Sequence, residues 1–280
     1  MNGPVVSLAA AVSAAALCDA FNASFADYLL PFPTMDLAGW QTFVRRQGCD
    51  LALSFAASRG DVVTAFALVT PRPWQRSRIA VMGARPDERG SGVAKRLLDD
   101  AIAAAAARSD RWIELEAFAQ NERAVNLYLS RGFVPVDSLY GYVAEPPLGT
   151  AQDVDGVAVS REDAAQWARD VDRDDPSLLP WQVGGEAMLN IPGNVQAWRF
   201  GRAQMVFQDS DTAIAVTSLL DRGTAGDAHA LLAALRHRYS QRVLRAPQLH
   251  RKLGPARAFE DAGWLRQPLH QLFLRRQLRV

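Results

Sequence analysis

The stretch GARPDERGSGVAKRLLDDAIAAAAA, residues 83–107, carries the decisive signal. A β-branched run, SRIAVMGA (77–84), leads into a turn poor in side chains, RGSGVA (89–94), and then into a helix predicted from Ser91 or Gly92 to about Arg108. A helix entered through glycines presents several backbone N–H groups in one direction, at the positive end of the helix dipole. Such a turn suits phosphate oxygens. Spacing excludes the two commonest phosphate loops, because no Gly-Lys-Ser/Thr follows and Gly-x-Gly-x-x-Gly is absent.

Outward from that turn, WIELEAFAQNERAVNLYLSRGF (112–133) reads as a strand and a helix closed by Gly132, a left-handed stop. YGYVAEP (140–146) follows as a further strand. Upstream, DLALSFAASRGDVVTAFALVT (50–70) alternates around SRGD, a hairpin signature. Before it, a short strand and an amphipathic helix lead to a turn at Pro31 and Pro33, and a second helix restarts with Thr34 as its cap.

The spacing Arg89-x-x-Gly92-x-Ala94, with Pro86, Gly90, Leu97 and Leu98 around it, resembles the (Q/R)-x-x-G-x-(G/A) motif of the GNAT acyltransferase superfamily. The downstream block supplies the matching Asn121, Ala124, Tyr128, Gly132 and Phe133, so the resemblance covers residues 78–134. It implies an acyl-CoA-dependent N-acyltransferase that moves acetyl from acetyl-CoA to a primary amine by direct attack, without a metal. By the same resemblance, Arg89, Gly90, Ser91, Gly92, Val93 and Ala94 would surround the coenzyme A pyrophosphate. Met82 and Ala84 would face the pantetheine arm, Asn121 would contact the pantetheine or diphosphate region, and Tyr128 would be the general acid. Glu116 is the candidate base; it shares a strand face with Trp112 and Glu114, where a plain surface carboxylate is the alternative. For Tyr128 the alternative is a core residue among Val125, Leu127 and Leu129. A rival reading is a non-catalytic protein that binds acyl-CoA or a partner through this fold and dispenses with the acid.

The second half echoes the first. When Gly132 is placed on Gly263, Phe133 falls on Trp264, Tyr128 on Phe259, Ala124 on Pro255 and Asn121 on Lys252. RGTAGDAHALLAAL (222–235) repeats the turn with altered spacing. Phenylalanine cannot donate a proton, so this copy reads as degenerate. The expected fold class is α/β (α+β), two tandem GNAT-like domains, each with a mixed, mostly antiparallel central sheet flanked by helices. Residues 1–145 would form the catalytic domain, 146–156 a Pro/Gly-rich linker, and 157–280 the degenerate domain.

Composition bounds the partners. The 280 residues are 49% hydrophobic and 22% charged with a net charge of +1, which speaks against nucleic acid and anionic membranes as partners. Cys18 and Cys49 form no metal or disulfide spacing, which fits a cytoplasmic protein. The apolar N-terminal stretch lacks the basic start of a secretion signal. The acceptor would be a small-molecule amine, or a protein N-terminus or lysine, meeting the region of Phe21, Phe25, Tyr28, Phe32 and Trp40, where aromatics at helical spacing read first as core and the pocket is the alternative, with Asp27 and Asp36 as candidate amine anchors. A homodimer is an allowed assembly.

Overall fold

The computed structural model describes residues 3–30, 32–144, 156–223 and 226–278. In chain order the elements begin β1 (Val5–Leu8), α1 (Ala14–Phe25), α2 (Leu37–Arg46), β2 (Asp50–Arg59), β3 (Val62–Arg72), β4 (Arg76–Ala84), α3 (Val93–Ala107), β5 (Trp112–Phe118), α4 (Glu122–Leu129) and β6 (Val134–Ala144). They continue with β7 (Val157–Val159), α5 (Arg161–Asp174), α6 (Gly185–Leu189), β8 (Asn194–Phe200), β9 (Ala203–Asp209), β10 (Ile214–Asp221), α7 (Gly226–Arg238), β11 (Leu244–Arg251), α8 (Ala256–Asp261) and β12 (Leu265–Gln277). The fold is mixed α/β, with mostly antiparallel strand pairing and flanking helices.

Two compact units arise, and they do not follow a single cut of the chain. The first comprises Met1–Glu116, Asn121–Val134 and Leu274–Val280; the second comprises Ala117–Gln120 and Pro135–Phe273. A division at 146–156 differs from this, because each unit completes its sheet with the last strand of the other half of the sequence. In the first unit, the end of β12 lies beside β5, where the Leu278 N–H donates to the Arg111 carbonyl at 3.0 Å. In the second, β6 pairs antiparallel with β11, Leu244 opposite Ala144 and His250 opposite Tyr140. Most of the expected linker, residues 145–155, lies outside the described residues.

The first unit has the strand order β1-β2-β3-β4-β5, antiparallel except for the parallel β4–β5 pair. One sheet face carries Phe66, Leu68 and Val81 and packs against Leu17, Phe21 and Phe25 of α1 and Trp40 of α2. The other carries Ala57, Ala65 and Ala67 and packs against Val93 and Leu97 of α3. Gly83 lets α1 lie this close, since a Cβ there would stand 3.0 Å from both Phe66 Cζ and Ser24 Cβ. α2 is capped by Asp36, not Thr34: Asn22 grips both backbone groups of Met35, and the next residue, Asp36, then accepts from the Gly39 N–H at 2.7 Å.

The second unit has the order β12-β6-β11-β10-β9-β8-β7. Its parallel pair is β10–β11. Its core gathers Met205, Phe207, Val216, Leu231, Leu235, Phe259 and Trp264. His250 is buried in this unit, its Nε2 3.1 Å from the Val216 carbonyl. Burial is the main cause that lowers its imidazole from the ordinary 6.5 to about 4. Between those values the unfolded chain takes up a proton that the folded chain refuses, so stability falls as pH drops from about 6.5 to 4 and levels off below. The loss attributable to this group is about 3 kcal/mol. Urea midpoints at pH 7 and 4.5 are expected to lie closer together in His250→Phe than in the wild type.

Two local structures recur between the units. The β3–β4 register shifts between Ile79 and Val81, and the β9–β10 register shifts between Val216 and Ser218. Gly132 and Gly263, 131 positions apart, hold φ of 76° and 72°. In each case the following residue donates its N–H back to the aromatic in the helix before it, Phe133 to the Tyr128 carbonyl at 3.2 Å and Trp264 to the Phe259 carbonyl at 2.9 Å.

Candidate active site

β4 and β5 pair in parallel only from Arg76↔Trp112 to Ile79↔Leu115. Beyond Ile79, the last residues of β4 keep their β3 partners but have no β5 partner, so the two strands part at their C-terminal ends. That end of a sheet, followed by a helix N-terminus, is where α/β folds place ligands. The register turns Met82 and Ala84 toward the α3 side, against Val93 and Leu97, and Val81 toward α1.

In the turn the Arg89 N–H donates to the Pro86 carbonyl and the Ser91 N–H to the Glu88 carbonyl, both at 3.3 Å. Gly90 and Gly92 have φ of 91° and 87°, where a side chain is strained, and a Cβ at either would meet nothing within 4 Å. Its walls are tied elsewhere. The Ser91 hydroxyl donates to the Glu88 carbonyl at 2.8 Å and accepts from the Val93 N–H at 3.3 Å. The Glu88 carboxylate is paired with Arg59 at the end of β2, which holds its carboxyl below the usual range. α3 starts from Gly92 with no side-chain cap of its own. Gly90, Ser91, Gly92, Val93 and Ala94 thus stand together at a helix start whose N-cap residue, Gly92, has no side chain to offer it. The Arg89 guanidinium instead forks onto Asp27, both bonds 2.6 Å, and reaches the Ser24 carbonyl at 3.0 Å. That bond is the main cause lowering the Asp27 carboxyl. Asp27 and Asp36, read from sequence as amine anchors, are therefore both occupied, one by Arg89 and the other as a helix cap.

At the start of α4, the Asn121 side chain caps the Ala124 N–H at 3.3 Å and also bonds Tyr28. Tyr128 projects from the same helix, 8% exposed, its ring edge-on to Phe133 at 6.0 Å. Burial, and then the neighbouring Tyr28, raise its phenol well above the ordinary 10, so it is protonated at neutral pH. Tyr28, an aromatic of the α1–α2 loop in the sequence, thus belongs with Asn121 and Tyr128.

Glu116 and Glu114 are not surface carboxylates. Arg78 Nε donates to Glu116 Oε2 at 2.7 Å, and both side chains are 2% exposed. Gln47 accepts from the same guanidinium at 3.0 Å. Glu116 Oε1 is buried without a hydrogen-bond partner. Glu114 is buried between Arg72 and Arg275 and accepts from Trp112 Nε1 at 3.2 Å. Glu114→Gln would leave two arginines short of their counter-charge, a loss of about 3–5 kcal/mol. Its unfolding midpoint is expected to fall accordingly. Arg78 and Gln47 escape sequence reading: a lone arginine opening an apolar strand looks like an edge residue, and only the fold buries it against Glu116.

Residues 15–133 match the family described as Acetyltransferase (GNAT) family. The chain carries a GNAT acetyltransferase domain. The match begins in α1 and ends one residue beyond Gly132, so this GNAT domain includes the β4–β5 opening, the glycine turn and Tyr128. No curated protein matches the chain in sequence. Among solved structures, a GCN5-related N-acetyltransferase of Sphaerobacter thermophilus is 16% identical with a TM-score of 0.63, over 99% of this chain and 96% of its own. A putative acetyltransferase of Pyrococcus horikoshii is 13% identical with a TM-score of 0.67, over 100% and 91%. A GCN5-related N-acetyltransferase of Kribbella flavida is 15% identical with a TM-score of 0.62, over 98% and 71%. At these identities the likeness is one of fold, and it extends over both units. Among the described residues no cluster of metal-ligating side chains occurs, and no helix is long and apolar enough to cross a membrane.

Proposed function

We propose that the protein is an N-acetyltransferase that moves acetyl from acetyl-CoA to a primary amine by direct attack in a ternary complex. The observation that carries this reading is the uncapped glycine turn at α3 beside the parting of β4 and β5, with a buried, protonated Tyr128 on α4. The N–H groups of Gly90, Gly92 and Ala94 would hold the pyrophosphate, with Ser91 and Val93 tied within the turn and shaping it, and Met82 and Ala84 would line the pantetheine path. Bound there, acetyl-CoA supplies the thioester carbonyl carbon that the amine attacks. Glu116 Oε1, which has no bond of its own, takes the amine proton directly or through one water, while Oε2 stays fixed by Arg78. As the carbon–sulfur bond breaks, the Tyr128 hydroxyl gives its proton to the departing thiolate.

In this reading the second unit is a degenerate copy of the first, supported by the 131-residue offset of the glycine stops and the repeated strand irregularity. Phe259 in place of Tyr128 removes the acid. The acceptor is a small-molecule amine or a protein amine. The test is to mix the pure protein with acetyl-CoA and a panel of amines and follow thiol release. Release that needs both partners and rises with amine concentration supports the proposal. Tight acetyl-CoA binding with no release from any amine would favour a non-catalytic acyl-CoA-binding protein.

A further inference from the structure

Each unit contains one pair of parallel strands, and each pair parts toward its C-terminal end, the place where α/β folds put ligands. In the second unit β10 and β11 pair only at Ile214↔Leu244 and Ala215↔Arg245. Past the parting, the ends of both strands and the segment after α5 border a cavity of about 480 Å³. An apolar cavity of about 150 Å³ holds one benzene, so this one has room for about three rings.

Apolar side chains dominate its lining. Leu179, Val183, Leu219 and Leu249 belong to it, and so do Leu178 and Leu253, which are 37% and 75% exposed. The apolar surface therefore continues from the cavity out to solvent. His250 also borders the cavity but is committed to the core of the unit, its Nε2 3.1 Å from the Val216 carbonyl and its ring 4.7 Å from that of Phe259.

The charged side chains of the lining are engaged within the chain. Arg222 pairs with Asp174, and Arg251 with Asp137 at 2.6 Å and with the Leu178 carbonyl at 2.5 Å. Asp175 accepts from the Ser177 N–H at 2.9 Å and from its hydroxyl at 2.6 Å. Asp221 accepts from the Gly223 N–H at 2.6 Å and from the Ala228 N–H, in the first turn of α7, at 3.0 Å. The start of α7 echoes the glycine turn before α3, and here a carboxylate of the chain takes its N–H groups. An ionic ligand would give up its hydration among charges already committed to one another or to the backbone, and a phosphate would meet Asp221.

We infer that this cavity binds an uncharged, apolar small molecule of about three rings in size, and that it excludes coenzyme A and other ionic ligands. The inference uses second-unit residues alone, so it stands whether or not the first unit transfers acetyl.

The test is fluorescence titration of the full-length protein with N-phenyl-1-naphthylamine, an uncharged three-ring probe, and with 8-anilinonaphthalene-1-sulfonate, the same skeleton carrying an anion. The expected result is saturable binding of one uncharged probe per chain and at least about tenfold weaker binding of the sulfonate. (1-Naphthylmethyl)trimethylammonium, which adds a positive charge, and saturating coenzyme A should each leave the uncharged probe in place. Leu219→Trp and Leu249→Trp, which fill the cavity from β10 and from β11, should each weaken that probe at least about tenfold. Absence of saturable binding, equal affinity for the sulfonate, displacement by the ammonium ion or by coenzyme A, or wild-type affinity in either tryptophan variant would overturn the inference. The probe comparison is made on the wild-type chain, so the inference remains testable even where a variant folds poorly.

Discussion

Tyr128→Phe is expected to lower kcat for acetyl transfer by about 10²–10⁴-fold, the range that a positioned general acid contributes. The substitution removes one oxygen and keeps the ring that packs edge-on to Phe133, so the helix and its left-handed stop at Gly132 should stay in place. The KM for acetyl-CoA should change little, because the phenol acts on sulfur that becomes anionic only as the bond breaks. Steady-state thiol release with a saturating amine measures the loss. Equal falls in kcat and kcat/KM mark an interaction made in the transition state; a rise in KM with kcat intact would make Tyr128 a packing residue only. The raised phenol pKa adds a second readout. A tyrosine that stays protonated well past 10 should impose no loss of activity of its own on the alkaline side up to that pH.

Gly92→Glu is expected to weaken acetyl-CoA binding by about a hundredfold or more. A carboxylate at this position would place an anion at the positive end of α3, where the free N–H groups would otherwise meet phosphate oxygens. Gly92→Ala separates the charge from the backbone. Alanine meets no neighbour there, so its cost is the left-handed φ of 87° alone, about 1–2 kcal/mol. Equilibrium titration with acetyl-CoA should therefore rank wild type, Ala and Glu in clearly separated order. If the glutamate variant retained wild-type affinity, the turn at 89–94 would not be the pyrophosphate site.

Much of the first unit was legible because its signals are local. The hairpin at Gly60, the helix behind RGSGVA and the stop at Gly132 each follow from a few adjacent residues, and β2, β3, β4, α3, β5 and α4 stand where the sequence predicts them. The cap of α2 is not legible locally, since Thr34 and Asp36 both offer a side-chain oxygen and the choice rests on Asn22, more than ten positions away, gripping Met35. The roles of Asp27 and Glu116 were half visible. Their residue type suits an amine, but only folding brings Arg89 onto one and Arg78 onto the other.

The sequence by itself determined the order and type of the first unit's elements from β2 to α4, the glycine turn and the two glycine stops 131 positions apart, because side-chain period, capping and left-handed glycines act over one or two turns of chain. The tertiary structure decided which strand completes each sheet. β6 and β12 have similar patterning, and the backbone hydrogen bonds of a strand do not identify its partner, so no local signal assigns β6 to the second unit or the end of β12 to the first. The same holds for the site's charges. An arginine and a glutamate 38 positions apart become a buried pair only when parallel pairing of β4 and β5 sets them on one face.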